Sequence, residues 1–301
     1  MKKTLLLLGT TLALASCMNH SHEFYTKALD DEKRNDLKAA LNDYSQAIKE
    51  DPKSAIYYNN RGLVKYHMGQ LDSAIRDFDV AIMLEPTDAI EYNNRGLAYA
   101  DNGNLTAALK DYNKSIELDP KAARTYDNRG LARQDNGDFD GAMQDYQVAL
   151  KLDSSDSYIW NNIGFLKYKM KDYETAITYY NHAIKLEPTM ATAYDNRGLS
   201  LYHLGKLKEG WADCDKAVSL DSTNAYAVNN RGLIEFEMED YKATIRDCDK
   251  AIRLKPEMAV AYVNRGLAKI EIQDTTGCAD LQKASSMGDA NAQDLMNEYC
   301  K

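Results

Sequence analysis

Residues 55–88 read AIYYNNRGLVKYHMGQLDSAIRDFDVAIMLEPTD, and residues 89–122 read AIEYNNRGLAYADNGNLTAALKDYNKSIELDPKA. The two lines align without a gap, and the pattern runs on in both directions. Arg-Gly falls at Arg61-Gly62, Arg95-Gly96, Arg129-Gly130, Arg197-Gly198, Arg231-Gly232 and Arg265-Gly266, with Ile163-Gly164 in the remaining slot, at steps of 34 residues. All five prolines (Pro52, Pro86, Pro120, Pro188, Pro256) share one phase of that period, where each would follow a helix it could not continue. A period of this length marks stacked supersecondary units, none of which buries its apolar face alone.

With Gly62 as position 8, position 4 is aromatic (Tyr58, Tyr92, Tyr126, Trp160, Tyr194, Tyr262), position 20 is small, position 24 is mostly aromatic, position 27 is mostly Ala and position 32 is Pro. This pattern resembles the tetratricopeptide repeat. The resemblance covers residues 21 to about 292 as eight units and implies an all-α fold, a right-handed solenoid of two antiparallel helices per repeat. It divides the chain into a capping repeat at 24–54, six regular repeats over 55–258, a last repeat at 259–288 that is one residue short, and a capping helix at 289–301. Glycine at position 8 is expected to face the small residue at 20 and let two helix backbones approach. Gly69, Gly103, Gly137 and Gly205 at position 15 are expected to end the first helices as left-handed caps.

Residues 1–16 carry Lys2, Lys3 and an apolar run shorter than the about 20 residues that span a bilayer, the pattern of an export signal. The run closes on Leu14-Ala15-Ser16-Cys17, which resembles the lipobox of bacterial lipoproteins and implies cleavage before a lipidated Cys17. With no acid directly after Cys17, the resemblance implies attachment to the outer membrane. Residues 17–23 read as a polar tether in which His20 and His22 have no metal role. Cleavage removes two lysines and no acid, taking the formal net charge from −9 to −11. An acidic chain without a cluster of Lys and Arg is a poor match for nucleic acid.

Position 7 is Arg61, Arg95, Arg129, Arg197, Arg231 and Arg265, and position 23 answers with Asp77, Asp111, Asp145, Asp213, Asp247 and Asp280. Where position 7 is Ile163, position 23 is Tyr179. The joint change predicts an Arg-Asp bridge inside each hairpin, partly buried, in preference to a row of free carboxylate receptors.

Asparagine is costly inside a helix, yet position 6 is Asn60, Asn94, Asn128, Asn162, Asn196, Asn230 and Asn264. The row has two readings: an amide ladder that grips the backbone of an extended peptide, as the family resemblance implies for the concave face, or bonds that fix one repeat to the next. Tyr66, Tyr168, Tyr202 and Phe236 at position 12 are candidate pockets for a partner's side chains, and acids at position 13 favour a basic or neutral ligand.

The chain carries no glycine-rich phosphate loop, Cys-x-x-Cys pair, His-Glu-x-x-His or serine elbow, so no catalytic residue, cofactor or metal site is expected. In an oxidising compartment Cys278 and Cys300 are candidates for a disulfide, and Cys214 and Cys248 are expected to be buried thiols. The expected function is a lipid-anchored, non-catalytic adaptor that binds a protein or extended peptide, touches the membrane only through its lipid, and takes no small-molecule substrate. The alternative is an envelope assembly factor resembling the pilotin lipoproteins.

Overall fold

The computed structural model describes residues 20–300. Cys17 and the export signal lie outside the described residues. Every helix among the described residues belongs to an antiparallel hairpin or caps one, and the helices fall into two compact units, one ending at Asp153 and the other beginning at Ser154.

The first unit holds α1 (residues 20–33), α2 (Leu37–Glu50), α3 (Ala55–His67), α4 (Leu71–Leu84), α5 (Ala89–Asp101), α6 (Leu105–Leu118), α7 (Ala123–Asp135) and α8 (Phe139–Leu152). The second holds α9 (Ser157–Lys169), α10 (Tyr173–Leu186), α11 (Ala191–His203), α12 (Leu207–Leu220), α13 (Ala225–Glu237), α14 (Tyr241–Leu254), α15 (Ala259–Glu271), α16 (Gly277–Ser286) and the lone α17 (Ala292–Tyr299). Within each unit every helix packs on the one before and the one after it, giving an α-solenoid stack of hairpins.

Local chemistry sets these boundaries. Most second helices start at an Asp or Asn whose side chain accepts from the backbone N–H three residues on, as Asp36, Asn104, Asp138, Asp172 and Asp240 do. Position 15 turns the chain between the two helices and has positive φ in all eight hairpins: Asn35, Gly69, Gly103, Gly137, Lys171, Gly205, Glu239 and Gln273. Glycine holds that conformation without strain, whereas a side chain there costs roughly 1–2 kcal/mol. Lys171→Gly and Glu239→Gly are therefore expected to stabilise the chain by up to about 1 kcal/mol each, seen as a raised thermal midpoint. An unchanged or lowered midpoint would show that side-chain contacts, and not backbone strain, decide the residue at these turns.

Three sequence expectations change. Residues 20–23 are helical, not tether: they form the first turn of α1, where Ser21 is buried and the Tyr57 hydroxyl donates to its Oγ at 3.5 Å. The final helix starts at Ala292, three residues later than the cap at 289, because Asp289 turns the chain by accepting from the Asn291 and Ala292 amides. Glycine at position 8 mostly faces position 24, not position 20. A Cβ on Gly62, Gly96, Gly130 or Gly164 would lie 2.6 to 2.7 Å from the ring of Phe78, Tyr112, Tyr146 or Tyr180. The close backbone approach expected of a small position 20 occurs where no ring intervenes: a Cβ on Gly198 would lie 2.9 Å from the Gly210 carbonyl oxygen, and one on Gly266 2.9 Å from that of Gly277.

Cys278 and Cys300 form a disulfide, Cα to Cα 5.7 Å, that joins α16 to the end of α17. Cys214 and Cys248 are free and fully buried where other hairpins place a ring.

Candidate partner-binding face

The first helices of the hairpins carry positions 2, 5, 6, 9, 12 and 13, so the sequence-selected asparagines and tyrosines lie on one set of helices. Their hydrogen bonds decide what they do. Nδ2 of Asn94, Asn128, Asn196 and Asn264 donates to Oδ1 of position 5 in the preceding repeat, Asn59, Asn93, Asn161 and Asn229, at 2.9 to 3.3 Å. Asn230 donates to both oxygens of Asp195 at 3.1 Å, and Asn60 reaches the Tyr25 hydroxyl at 3.5 Å. Asn162 holds the same position on α9 and is half-buried. The row thus joins one repeat to the next, and that bonding offsets the cost of asparagine inside a helix.

Position 12 behaves alike. Tyr66 donates to Asp101 at 2.5 Å and Tyr202 to Glu237 at 3.3 Å, while the Tyr168 hydroxyl and His203 Nε2 lie 3.0 Å apart. Burial, with the Asp101 carboxylate beside it, pushes the Tyr66 phenol up to about 12, so it remains a donor. Phe236 packs its ring edge-on to Tyr241, centroids 5.4 Å apart.

The arginines at position 7 use all three of their nitrogens within the stack. Nε and Nη2 of Arg61, Arg95, Arg129, Arg197, Arg231 and Arg265 grip both oxygens of Asp77, Asp111, Asp145, Asp213, Asp247 and Asp280 at 2.5 to 2.9 Å. Nη1 reaches position 25 of the preceding repeat, Ser45, Asp79, Asn113, Asn181, Asp215 or Asp249, at 2.6 to 3.2 Å. Five of the guanidinium groups also lie 5.3 to 5.7 Å from the ring at position 4, which explains the aromatic residue there. Burial works against the charge on Arg95, yet Asp111 and Asp79 hold its pKa above the ordinary arginine value.

Position 11 adds a second base to some of these pairs: Lys65 on Asp77, Arg133 on Asp145 and Lys269 on Asp280. Glu235 is the acidic exception. Its buried carboxyl accepts from Trp211 Nε1 at 3.1 Å, and its other oxygen has no partner. Burial raises its pKa from 4.5 to about 7. A carboxyl raised in the folded state contributes stability that is complete below its unfolded pKa and is lost as pH climbs through the folded one. Between about pH 5 and about pH 8 the chain is therefore expected to lose on the order of 1–3 kcal/mol through this group. Thermal unfolding across that range checks it, because Glu235→Gln should remove that part of the slope; an identical slope in the variant sinks the assignment.

A cleft of about 470 Å³ opens in the first unit between α3, α5 and α7. Leu63, Tyr66, Asn93, Asn94 and Leu97 line it, and Ile90, 62% exposed, lies at its edge. Tyr66 and Asn94 were selected from the sequence; Ile90 was not. It belongs to a set of large apolar side chains left in water at position 2, with Ile56 in the first unit and Tyr158, Tyr226 and Val260 in the second. Their signal in the sequence was a bulky apolar residue in a helix's first turn, outside the apolar stripe of that helix.

A family model described as TPR repeat matches residues 33–69, 96–137 and 135–171, and one described as Tetratricopeptide repeat matches 157–190. The hairpins that these matches cover, over residues 33–69 and 96–190, are recognised as tetratricopeptide repeats. No curated protein matches the chain. Among solved structures, a tetratricopeptide repeat protein from Parabacteroides merdae is 20% identical, with 83% of this chain and 99% of that one covered at a TM-score of 0.67. Pseudomonas aeruginosa pilF is 20% identical over 70% of this chain and 97% of its own, TM-score 0.62. The APC/C hetero-tetramer Cut9-Hcn1 is 15% identical over 92% of this chain and 55% of that one, TM-score 0.75. At these identities the likeness is one of fold. Tetratricopeptide repeats generally serve as non-catalytic protein-binding scaffolds, and no enzymatic family matches.

Proposed function

We propose that the protein is a non-catalytic adaptor, anchored at the bacterial cell envelope through lipid on Cys17, that holds an extended segment of another protein on its first-helix face. The cleft in the first unit carries the reading. It combines exposed apolar surface at Ile90 with the half-buried Tyr66 and with amides whose neighbours already fix their orientation. A partner there gains from covering Ile90 and Leu97 and need not displace the inter-repeat bonds. No helix among the described residues is long and apolar enough to cross a membrane, so the proposed attachment rests on Cys17.

A photo-crosslinking residue in place of Ile90 tests the face, with Met83, 72% exposed on the second helix α4, as the control position. The expected result is a discrete protein adduct from position 90 and none from position 83. Equal labelling from both would remove the cleft as the binding site. Incorporation of labelled fatty acid that Cys17→Ser abolishes tests the anchor separately.

A further inference from the structure

Glu85, Asp88 and Glu91 surround the turn between α4 and α5, and one carboxylate oxygen of each lies within 4.8 Å of the others. Acidic clusters on surfaces are ordinary, but the third member here is not on the surface. Glu91 is 3% exposed, and its Oε2 is buried without a hydrogen-bond partner. A carboxyl in that position must either keep its proton or meet a compensating positive charge. No lysine or arginine makes an ion pair with any of the three among the described residues.

The repeats supply an internal comparison. Glu91 occupies position 3, where the other repeats after the first carry Tyr57, Thr125, Ile159, Ala193, Ala227 and Ala261. The fold therefore does not call for an acid at this buried point. None of those repeats places three carboxylates around the same turn.

We propose that Glu85, Asp88 and Glu91 form a calcium site that clamps the junction between the second and third hairpins. Three carboxylates are a hard oxygen donor set, which selects Ca²⁺ or Mg²⁺ over softer metals. Calcium bonds of about 2.3–2.6 Å let one ion bridge oxygens up to about 5 Å apart in irregular geometry. Magnesium, at about 2.1 Å and strictly octahedral, reaches only about 4.2 Å. Asp88 Oδ1 already accepts from the Ile90 amide at 2.8 Å to cap α5, which leaves Oδ2 for the ion.

Calcium binding by calorimetry and thermal unfolding of the full chain test the site, in EGTA and then with ~1 mM CaCl2 or ~1 mM MgCl2. The expected result is one bound Ca²⁺ that raises the midpoint by several degrees, with a smaller effect of Mg²⁺. Glu91→Thr, which installs the residue Thr125 supplies at this position, should fold and lose both binding and shift. Glu85→Gln, at an exposed position, should weaken binding by at least about tenfold and leave the fold intact even where Glu91→Thr does not. Calcium uptake and midpoint shift unchanged in Glu85→Gln and Glu91→Thr would overturn the proposal, because binding would then be diffuse attraction to an acidic chain. Absence of binding to the unaltered chain would overturn it outright.

Discussion

Arg95→Met is expected to lower stability by about 3–5 kcal/mol, the cost of leaving a buried carboxylate uncompensated. Asp111, with a side chain 5% exposed, receives both of its charged bonds from Arg95 and has no second base. The equivalent change at Arg129 should cost less, since Arg133 stays on Asp145 at 2.9 Å. The fifth repeat supplies the rescue, because Ile163 and Tyr179 take the place of the ion pair there. Arg95→Ile combined with Asp111→Tyr should bring stability back to within about 1 kcal/mol of the unaltered chain, as apolar replacement of a buried pair commonly does. Denaturant midpoints of the single and double variants decide the matter. A loss below about 1 kcal/mol in Arg95→Met would place this pair with exposed salt bridges, which contribute little.

Gly130→Ala is expected to cost about 1–3 kcal/mol, although alanine for glycine inside a helix ordinarily gains about 1 kcal/mol. The new Cβ would lie 2.6 Å from Cε1 of Tyr146, a ring that is fully buried and cannot swing aside. Gly232→Ala is the control at the same repeat position. Cys248 replaces the ring there, and the nearest atoms to the new methyl are Asp247 Cβ at 3.2 Å and Cys248 Sγ at 3.6 Å. That variant should melt close to the unaltered chain. Equal losses in both would mean that the glycine matters for helix backbone approach, as the sequence suggested, and not for the ring.

Much of the hairpin architecture was legible because each repeat restates the same demands. Positions 7 and 23 change together from Arg and Asp to Ile and Tyr, and that joint change exposes the pair without any coordinates. The third partner of each arginine was hidden because position 25 varies among Ser45, Asp79, Asn113, Asn181, Asp215 and Asp249. What they share is an oxygen acceptor, not a residue type. The glycine at position 8 was misread for a related reason: small residues at 20 and rings at 24 both recur every turn of the repeat, and only the packing shows which one touches. Ile90 escaped because position 2 varies, with Arg124 and Thr192 among Ile56, Tyr158, Tyr226 and Val260, so it forms no unbroken row along the repeats. Glu91 escaped because one acid among 46 carries no label of burial.

The two buried rows share a direction. Within each unit, the later repeat contributes the donor, an Asn Nδ2 or an Arg Nη1, and the earlier repeat contributes the acceptor. A chain made from its N-terminus outward thus lays down the receiving groups of these rows before the groups that seek them. Along these two rows each new hairpin meets acceptors already in place, while at position 12 the direction reverses, with Tyr66 and Tyr202 donating forward to Asp101 and Glu237.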